Sequence, residues 1–367
     1  MKAVIAIDSY KGCLRSEQAC RAAAAAFGPE DRVVSVPVSD GGEGFSEILT
    51  ALLGGTFRTV EAQDPLGRPV RASYGIAPVP GFGKTAVVDV ASAGGLTLLS
   101  PQERDPLKAD SYGTGQLVAD ALAQGVDAVF LGLGGSATND GGLGMLRALE
   151  AGPFSDGAGR GPWAEAAGKT AFHCFCDVAT PFAGPDGASR VFAPQKGASP
   201  ADVEVLEARM TELARVYGEQ SGKDILRLPG AGAAGGIGGA AAAFLGARLH
   251  IGIAAFLELA GFGTKIQDAD LVMTGEGRSD TQTLLGKTPL GVLQFVRKHG
   301  PASAKVALVS GAVMDAEALL AAGFDAVAAV TPAGVPLPVA MEPGYASRAL
   351  TDCVRRLLPL FREGGSR

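Results

Sequence analysis

Short apolar runs and segments of helical spacing alternate along the chain, separated by polar turns crowded with glycine. Residues 2–7, 32–38, 126–133, 172–176, 270–274, 306–309 and 326–330 are apolar runs of strand length. Residues 16–27, 111–124, 143–150, 200–220 and the tail from 347 carry helical spacing, and a further helix is expected up to residue 53. Ser16 is the expected N-cap of the first helix. Residues 56–92 differ: TFRTVEAQ, PVRASYGIA and TAVVDVAS alternate apolar and polar positions and are divided by Pro and Gly, which predicts antiparallel or mixed sheet. Residues 150–169 and 185–198 read as polar loops. Strands alternating with helices predict an α/β fold. The change of style near Thr56 and the return to buried strands near Asp270 place both chain ends in one discontinuous domain, residues 1–58 plus 262–367. The inserted domain is then residues 59–261.

The stretch VDAVFLGLGGSATNDGGLGML, residues 126–146, joins a buried strand to a helix through a glycine-rich turn. Gly134 and Gly135 let the backbone turn sharply and approach a ligand. Free N–H groups at a helix start face negative charge. Ser136, Thr138 and Asn139 add neutral donors, and Asp140 either caps the helix or holds a metal ion. Other strands end in similar fashion, at D8SYKG, D40GGEG, Asp177 and G275EGRSD. Ligands of open α/β sheets bind beyond the carboxyl ends of the strands, so these turns together predict a polar cleft.

Composition narrows the choices. The chain has 367 residues, long for a single core, with 47% hydrophobic and 19% charged residues, and a net charge of -6 argues against nucleic-acid and acidic-membrane partners. Its five cysteines show no CxxC spacing and predict reduced thiols in the cytoplasm. No apolar run is long enough to span a bilayer. Gly230, Gly232 and Gly235 spell GxGxxG, but no strand precedes them and the acid expected about 20 residues on is missing; a glycine-rich anion loop or plain helix packing remains. Each GKT lacks the earlier glycine of a P-loop, replaced by Pro78, Trp163 or Thr281. The three histidines show no metal-ligand spacing, and His250 and His299 look like surface residues at helix ends. Acid-rich, glycine-rich turns suit phosphoryl transfer, which needs positioning and charge neutralisation more than a special nucleophile.

DSYKG (8–12), DGGEG (40–44), GLGGSATNDGG (132–142), PQKGA (194–198), GAGAAGG (230–236) and TGEGRSDTQTLLGKTPLGV (274–292) occur in this order. Together they resemble the type I glycerate kinases of bacteria over nearly the whole chain. The resemblance implies two α/β domains with Rossmann- or flavodoxin-like parallel sheets, one discontinuous, and an active site in the cleft between them. It implies ATP- and Mg²⁺-dependent phosphorylation of D-glycerate to 2-phosphoglycerate by in-line transfer, with a carboxylate as base. The implied roles are Asp177 or Asp280 as base and Lys11 as a catalytic cation. Lys11, Ser9, Arg278 and Lys287 would hold the substrate. Gly134, Gly135, Ser136, Thr138, Asn139, Gly232 and Gly235 would meet nucleotide or phosphate. Asp40, Glu43 and Glu276 would hold the metal. A homodimer is the candidate assembly. Ile7, Tyr10 and Ala193 depart from the usual motif residues, and none of these removes a charge. The competing readings are a kinase forming the 3-phosphate or acting on another hydroxy acid, an NAD(P)-linked oxidoreductase, and a non-catalytic sugar-acid sensor.

Overall fold

The computed structural model describes residues 1–42, 44–152 and 162–362. Its strands are β1 (Lys2–Ile7), β2 (Arg32–Ser35), β3 (Thr56–Gln63), β4 (Pro69–Val79), β5 (Gly83–Asp89), β6 (Ala128–Gly132), β7 (Ala171–Cys176), β8 (Arg248–Ile251), β9 (Leu271–Gly275), β10 (Arg278–Ser279), β11 (Lys305–Ser310), β12 (Ala312–Val313) and β13 (Ala326–Ala329). They fall in two compact units: one runs up to Ser39 and resumes at Gly252, the other is Asp40–Ile251. The change of strand style at Thr56, on which the expected boundary rests, is the start of β3. The preceding helix, Phe45–Leu52, already packs on β4 and β5 of the second unit.

In the first unit β13, β11, β9, β1 and β2 lie side by side in that order, every neighbour parallel. Helices cover both faces, so β1 and β9 are buried at every residue and read as unbroken apolar runs. Ile5, Ile7, Met273 and Val309 face Val354 and Leu350 of helix Pro343–Arg362 and Cys20 of helix Ser16–Ala24. Helix Thr288–His299 packs on β9 and β11. Ser16 is not the N-cap; Arg15 is. The Ser16 hydroxyl instead donates to the Ile7 carbonyl (2.6 Å) and accepts from the Val38 N–H (2.9 Å), pinning the helix start to the end of β1. β2 stops at Ser35, before Pro37, which has no N–H for a ladder.

In the second unit the order is β3-β4-β5-β6-β7-β8. β3–β4 and β4–β5 are antiparallel, and the pairs from β5 to β8 are parallel. This is the mixed sheet that the alternation predicts. Val129, Leu131 and Cys174 face a core completed by helices Tyr112–Ala123, Leu143–Ala148 and Ile237–Phe244. Two expected loops contain helices: Pro162–Lys169 in the first, and Ala188–Phe192 with a 3-10 turn, Pro194–Lys196, in the second. They are too short for a periodic signal, and Gly and Pro mask them. Residues 153–161 of the first loop lie outside the described residues. All five cysteines are free thiols. Among the described residues, no helix is long and apolar enough to cross a membrane.

The other face of this sheet is aromatic. Phe130 pairs in register with His173, and Phe175 with His250. His250 therefore lies in a strand, not at a helix end. Its ring stacks on Phe175 (4.9 Å between centroids), and its Nε2 is 2.8 Å from Nδ1 of His173. Burial first, then His250 and Arg248, pushes the His173 imidazole down to about 4. An unfolded histidine titrates near 6.5, so between those values the unfolded chain binds more protons and stability falls as pH falls. Asp8, raised to about 6, acts in the opposite sense over much of this range, so the comparison must be between variants. His173→Asn keeps a polar atom near the Nδ1 position without the titration. Its melting temperature relative to wild type is expected to rise by roughly 2–4 °C for each kcal/mol of relief as pH drops from 6.5 towards 4. Calorimetry at several pH values checks this; a constant difference would refute it.

Candidate functional site

The second unit gathers its polar groups at the carboxyl ends of β6 and β7. Leu133 donates its N–H to the Phe175 carbonyl (2.9 Å), and Gly134 donates to the Gly41 carbonyl (2.8 Å). The turn at residues 40–42 thus lies against both strand ends. It fits because side chains are missing: a Cβ on Gly134 would strike the Gly42 Cα, and one on Gly41 the Phe175 carbonyl. Asp40 and Asp177 come to the same region, and both charges act on Cys176, whose thiol is raised to about 12, chiefly by burial. Asp40 Oδ1 accepts from the Gly42 N–H at 3.1 Å. Asp177 follows β7 directly, and its carboxylate makes no hydrogen bond or ion pair among the described residues.

The turn after β6 is tightly held. Asp140 accepts from the Gly142 N–H through Oδ1, and from the Gly144 N–H, the Ser111 N–H and the Ser111 hydroxyl through Oδ2, all at 2.7–3.0 Å. Of its two candidate roles, the structure shows helix capping. Lys196 lies beneath the turn, 4% exposed. Its Nζ donates to Ser136 Oγ (2.9 Å) and to the Thr138 carbonyl (2.8 Å). Burial pushes this ammonium down to about 7, against the pull of Asp140. Asn139 donates from Nδ2 to Ser189 Oγ (3.0 Å), while its Oδ1 is buried with no partner. Gly232 and Gly235 face backbone: Cβ atoms there would strike the carbonyls of Pro181 and Thr138. Gly235 also accepts from the Gly141 N–H at 2.9 Å.

The first unit gathers a second polar group at the ends of β1, β9 and β11. Asp8 Oδ1 accepts from the Ser9 N–H (2.6 Å) and Oδ2 from the Thr288 hydroxyl (2.9 Å). Burial raises its carboxyl to about 6; Ser9, Thr288 and Lys11 oppose the shift and Glu276 adds to it. Glu276 Oε1 accepts from the hydroxyls of Ser279 (2.9 Å) and Thr283 (2.6 Å), and its Oε2 is 3.9 Å from Lys287 Nζ. Ser279 also bonds Ser310 (2.7 Å). Asp280 caps the 3-10 helix Thr281–Leu285, accepting from the Gln282 N–H at 2.9 Å, with Arg278 Nε at 3.5 Å. Lys11 is exposed on the turn after β1.

Lys11, Ser9, Glu276, Arg278, Asp280 and Lys287 therefore belong to one unit, and Asp40, Gly134, Gly135, Ser136, Thr138, Asn139, Asp177, Gly232 and Gly235 to the other. Glu43 lies outside the described residues. Among the described residues no group of three or more His, Cys, Asp or Glu side chains converges on one point. Asp40 and Asp177 nevertheless offer the carboxylate oxygens that Mg²⁺ prefers, a metal that usually keeps waters and takes further ligands from substrate phosphates. Sequence alone gives Lys196, Thr288 and Ser310 no role. For Lys196 the signal is its place in the PQKGA motif, a lysine in a Pro- and Gly-rich turn; Gly197 there has φ 103°. The hydroxyls carry none.

A model of the glycerate kinase family matches residues 3–362. A glycerate kinase of Halalkalibacterium halodurans is 38% identical over 361 residues, 93% of each chain. A glycerate 2-kinase of Escherichia coli K12 is 42% identical over 318 residues, 82% of this chain and 83% of that one. The crystal structure of a protein assigned as glycerate kinase 2 from Salmonella typhimurium LT2 superposes with a TM-score of 0.81 at 36% identity, covering 100% of both chains.

The Thr288 hydroxyl stabilises the charged form of Asp8. Thr288→Val is expected to raise the Asp8 carboxyl above its value of about 6, by about one pH unit for a hydrogen bond to a charged group. Carboxyl ¹³C NMR titration checks this, and a fall would contradict the assignment.

Proposed function

Because this chain belongs to the glycerate kinase family, we propose that it transfers the terminal phosphoryl group of ATP to the 2-hydroxyl of D-glycerate, with Mg²⁺, giving 2-phosphoglycerate and ADP. The observation that carries this reading is the turn after β6. Backbone contacts that only glycine permits fix it against the turn at residues 40–42, and it carries the Ser136 hydroxyl and the buried, unpartnered Asn139 Oδ1. The identity to a relative named glycerate 2-kinase supports the choice of hydroxyl.

In this reading Gly134, Gly135, Ser136, Thr138 and Asn139 hold the nucleotide phosphates. Asp40 would hold Mg²⁺, which when bound would neutralise phosphate charge; Glu43 of the same sequence motif lies outside the described residues. Ser9, Lys11, Arg278 and Lys287 bind the glycerate carboxylate, and Lys11 also offsets charge on the moving group. Asp177 takes the proton of the attacking hydroxyl as its oxygen bonds to phosphorus and the bond to the leaving ADP breaks. Two carboxylates compete for the role of base, and their surroundings separate them. Asp280 is committed to a helix start and to Arg278, whereas Asp177 follows a parallel strand and has no hydrogen-bonding partner among the described residues. Glu276 is occupied by two hydroxyls and faces Lys287, so its proposed part is to orient that lysine.

Phosphorus NMR of products from D-glycerate and Mg-ATP tests the assignment, because proton coupling distinguishes the 2- from the 3-phosphate. Asp177→Asn is expected to lower kcat by about 10²–10⁴, the usual weight of a general base. Asp280→Asn keeps a capping side chain and is expected to stay within about threefold of wild type. The reverse order of the two variants would move the base to Asp280.

A further inference from the structure

We propose that Lys196 is a positioning residue for phosphate: a buried cation that holds the Ser136 hydroxyl and the Thr138 carbonyl of the turn after β6 and supplies the positive charge that draws a nucleotide phosphate to that turn. The inference rests on the kinase reading above and adds to it a residue that serves the charged tail of the nucleoside triphosphate.

Three observations carry it. Lys196 is 4% exposed, yet both acceptors of its Nζ are neutral oxygens. No carboxylate among the described residues lies within ion-pair distance; Asp140, which acts on it through space, has its oxygens filled by Ser111, Gly142 and Gly144. A buried ammonium without a counter-ion is costly, and an anion arriving at the turn relieves that cost. Burial, opposed by Asp140, pushes its proton affinity down to about 7, and a phosphate at the turn is expected to raise it.

The bonding pattern gives the charge a route. Ser136 Oγ accepts from Lys196, so its own O–H is available to donate, and donation by a cation makes it a stronger donor. The Thr138 carbonyl, an acceptor that would repel phosphate oxygens, is masked by the same ammonium. Lys196 comes from the short Pro194–Lys196 turn, whose backbone is held where Gly197 lies against the Arg104 carbonyl. A lysine that merely pinned the turn would need hydrogen bonds but not charge, and this difference is measurable.

The test uses the full chain with three variants, Lys196→Met, Lys196→Gln and Lys196→Arg. Each is measured for melting temperature alone, with Mg-ATP and with adenosine, and for glycerate-dependent turnover. Lys196→Met and Lys196→Gln are expected to weaken ATP at least about tenfold, one factor of ten being about 1.4 kcal/mol. Adenosine binding should stay within about twofold. Gln, which keeps a donor without the charge, should resemble Met, and Arg should recover most of the ATP affinity. Wild-type ATP affinity in Lys196→Gln, or equal losses for ATP and adenosine, would overturn the inference and leave a structural lysine. Wild type that neither responds to Mg-ATP nor phosphorylates glycerate would overturn the kinase reading and this inference with it.

Discussion

Close approach of one backbone to another is the constraint on which the second unit's site depends. The turn at residues 40–42, the end of β7 and the turn after β6 meet main chain to main chain, through Gly134 to Gly41 and Leu133 to Phe175. A methyl group at Gly41, Gly134 or Gly235 would occupy a position already held by a carbonyl or a Cα. Glycine here costs conformational entropy, roughly 0.5–1 kcal/mol at each position relative to alanine in regular structure. The return is a set of polar side chains carried by backbone that cannot shift independently. Asp40, Ser136 and Asp177 hold their places because the strands under them are parallel, buried and hydrogen-bonded to these turns.

Much of this was readable in the residues. Unbroken apolar runs such as residues 2–7 and 126–133 announce strands covered on both faces, and β1 and β6 are buried throughout; the alternation in 56–90 announces strands with one wet face, which β4 approximates, whereas β5 is buried from Thr85 to Asp89. The strand-end turns stood out as candidate sites because Gly, Asp and Lys cluster there, and the structure gathers polar groups at those strand ends. What escaped the sequence depends on contacts between distant residues. Ser16 looks like a cap because serine often is one, yet its hydroxyl found the end of β1. His250 looks like a helix-end residue because nothing local marks a four-residue strand, β8, that pairs with β7 seventy-odd positions away. Lys196 falls in a Pro- and Gly-rich stretch that reads as solvated loop, and its burial comes from the turn after β6 folding over it.

The two polar clusters solve the problem of holding charge in opposite ways. In the first unit the carboxylates are saturated: Glu276 has two hydroxyl donors and Asp8 a hydroxyl and an N–H. Saturation fixes their geometry and leaves the nearby cations Lys11, Arg278 and Lys287 at the surface, where a small anion can reach them. In the second unit the carboxylate of Asp177 makes no hydrogen bond or ion pair among the described residues, while the cation Lys196 is sunk below a neutral turn.

That inversion matters for phosphoryl transfer. Exposed cations suit a substrate carboxylate that must bind and leave, because the surrounding water keeps each contact modest. A buried cation acts with far less screening, so it discriminates strongly between a phosphate and a neutral group at the same place. A half-buried carboxylate with no protein partner among the described residues can accept a proton without first breaking a protein hydrogen bond. In the proposed reading, weak, reversible charge serves the small acid and strong, fixed charge serves the triphosphate. A single substitution that neutralises the buried charge while preserving its hydrogen bonds separates the two effects.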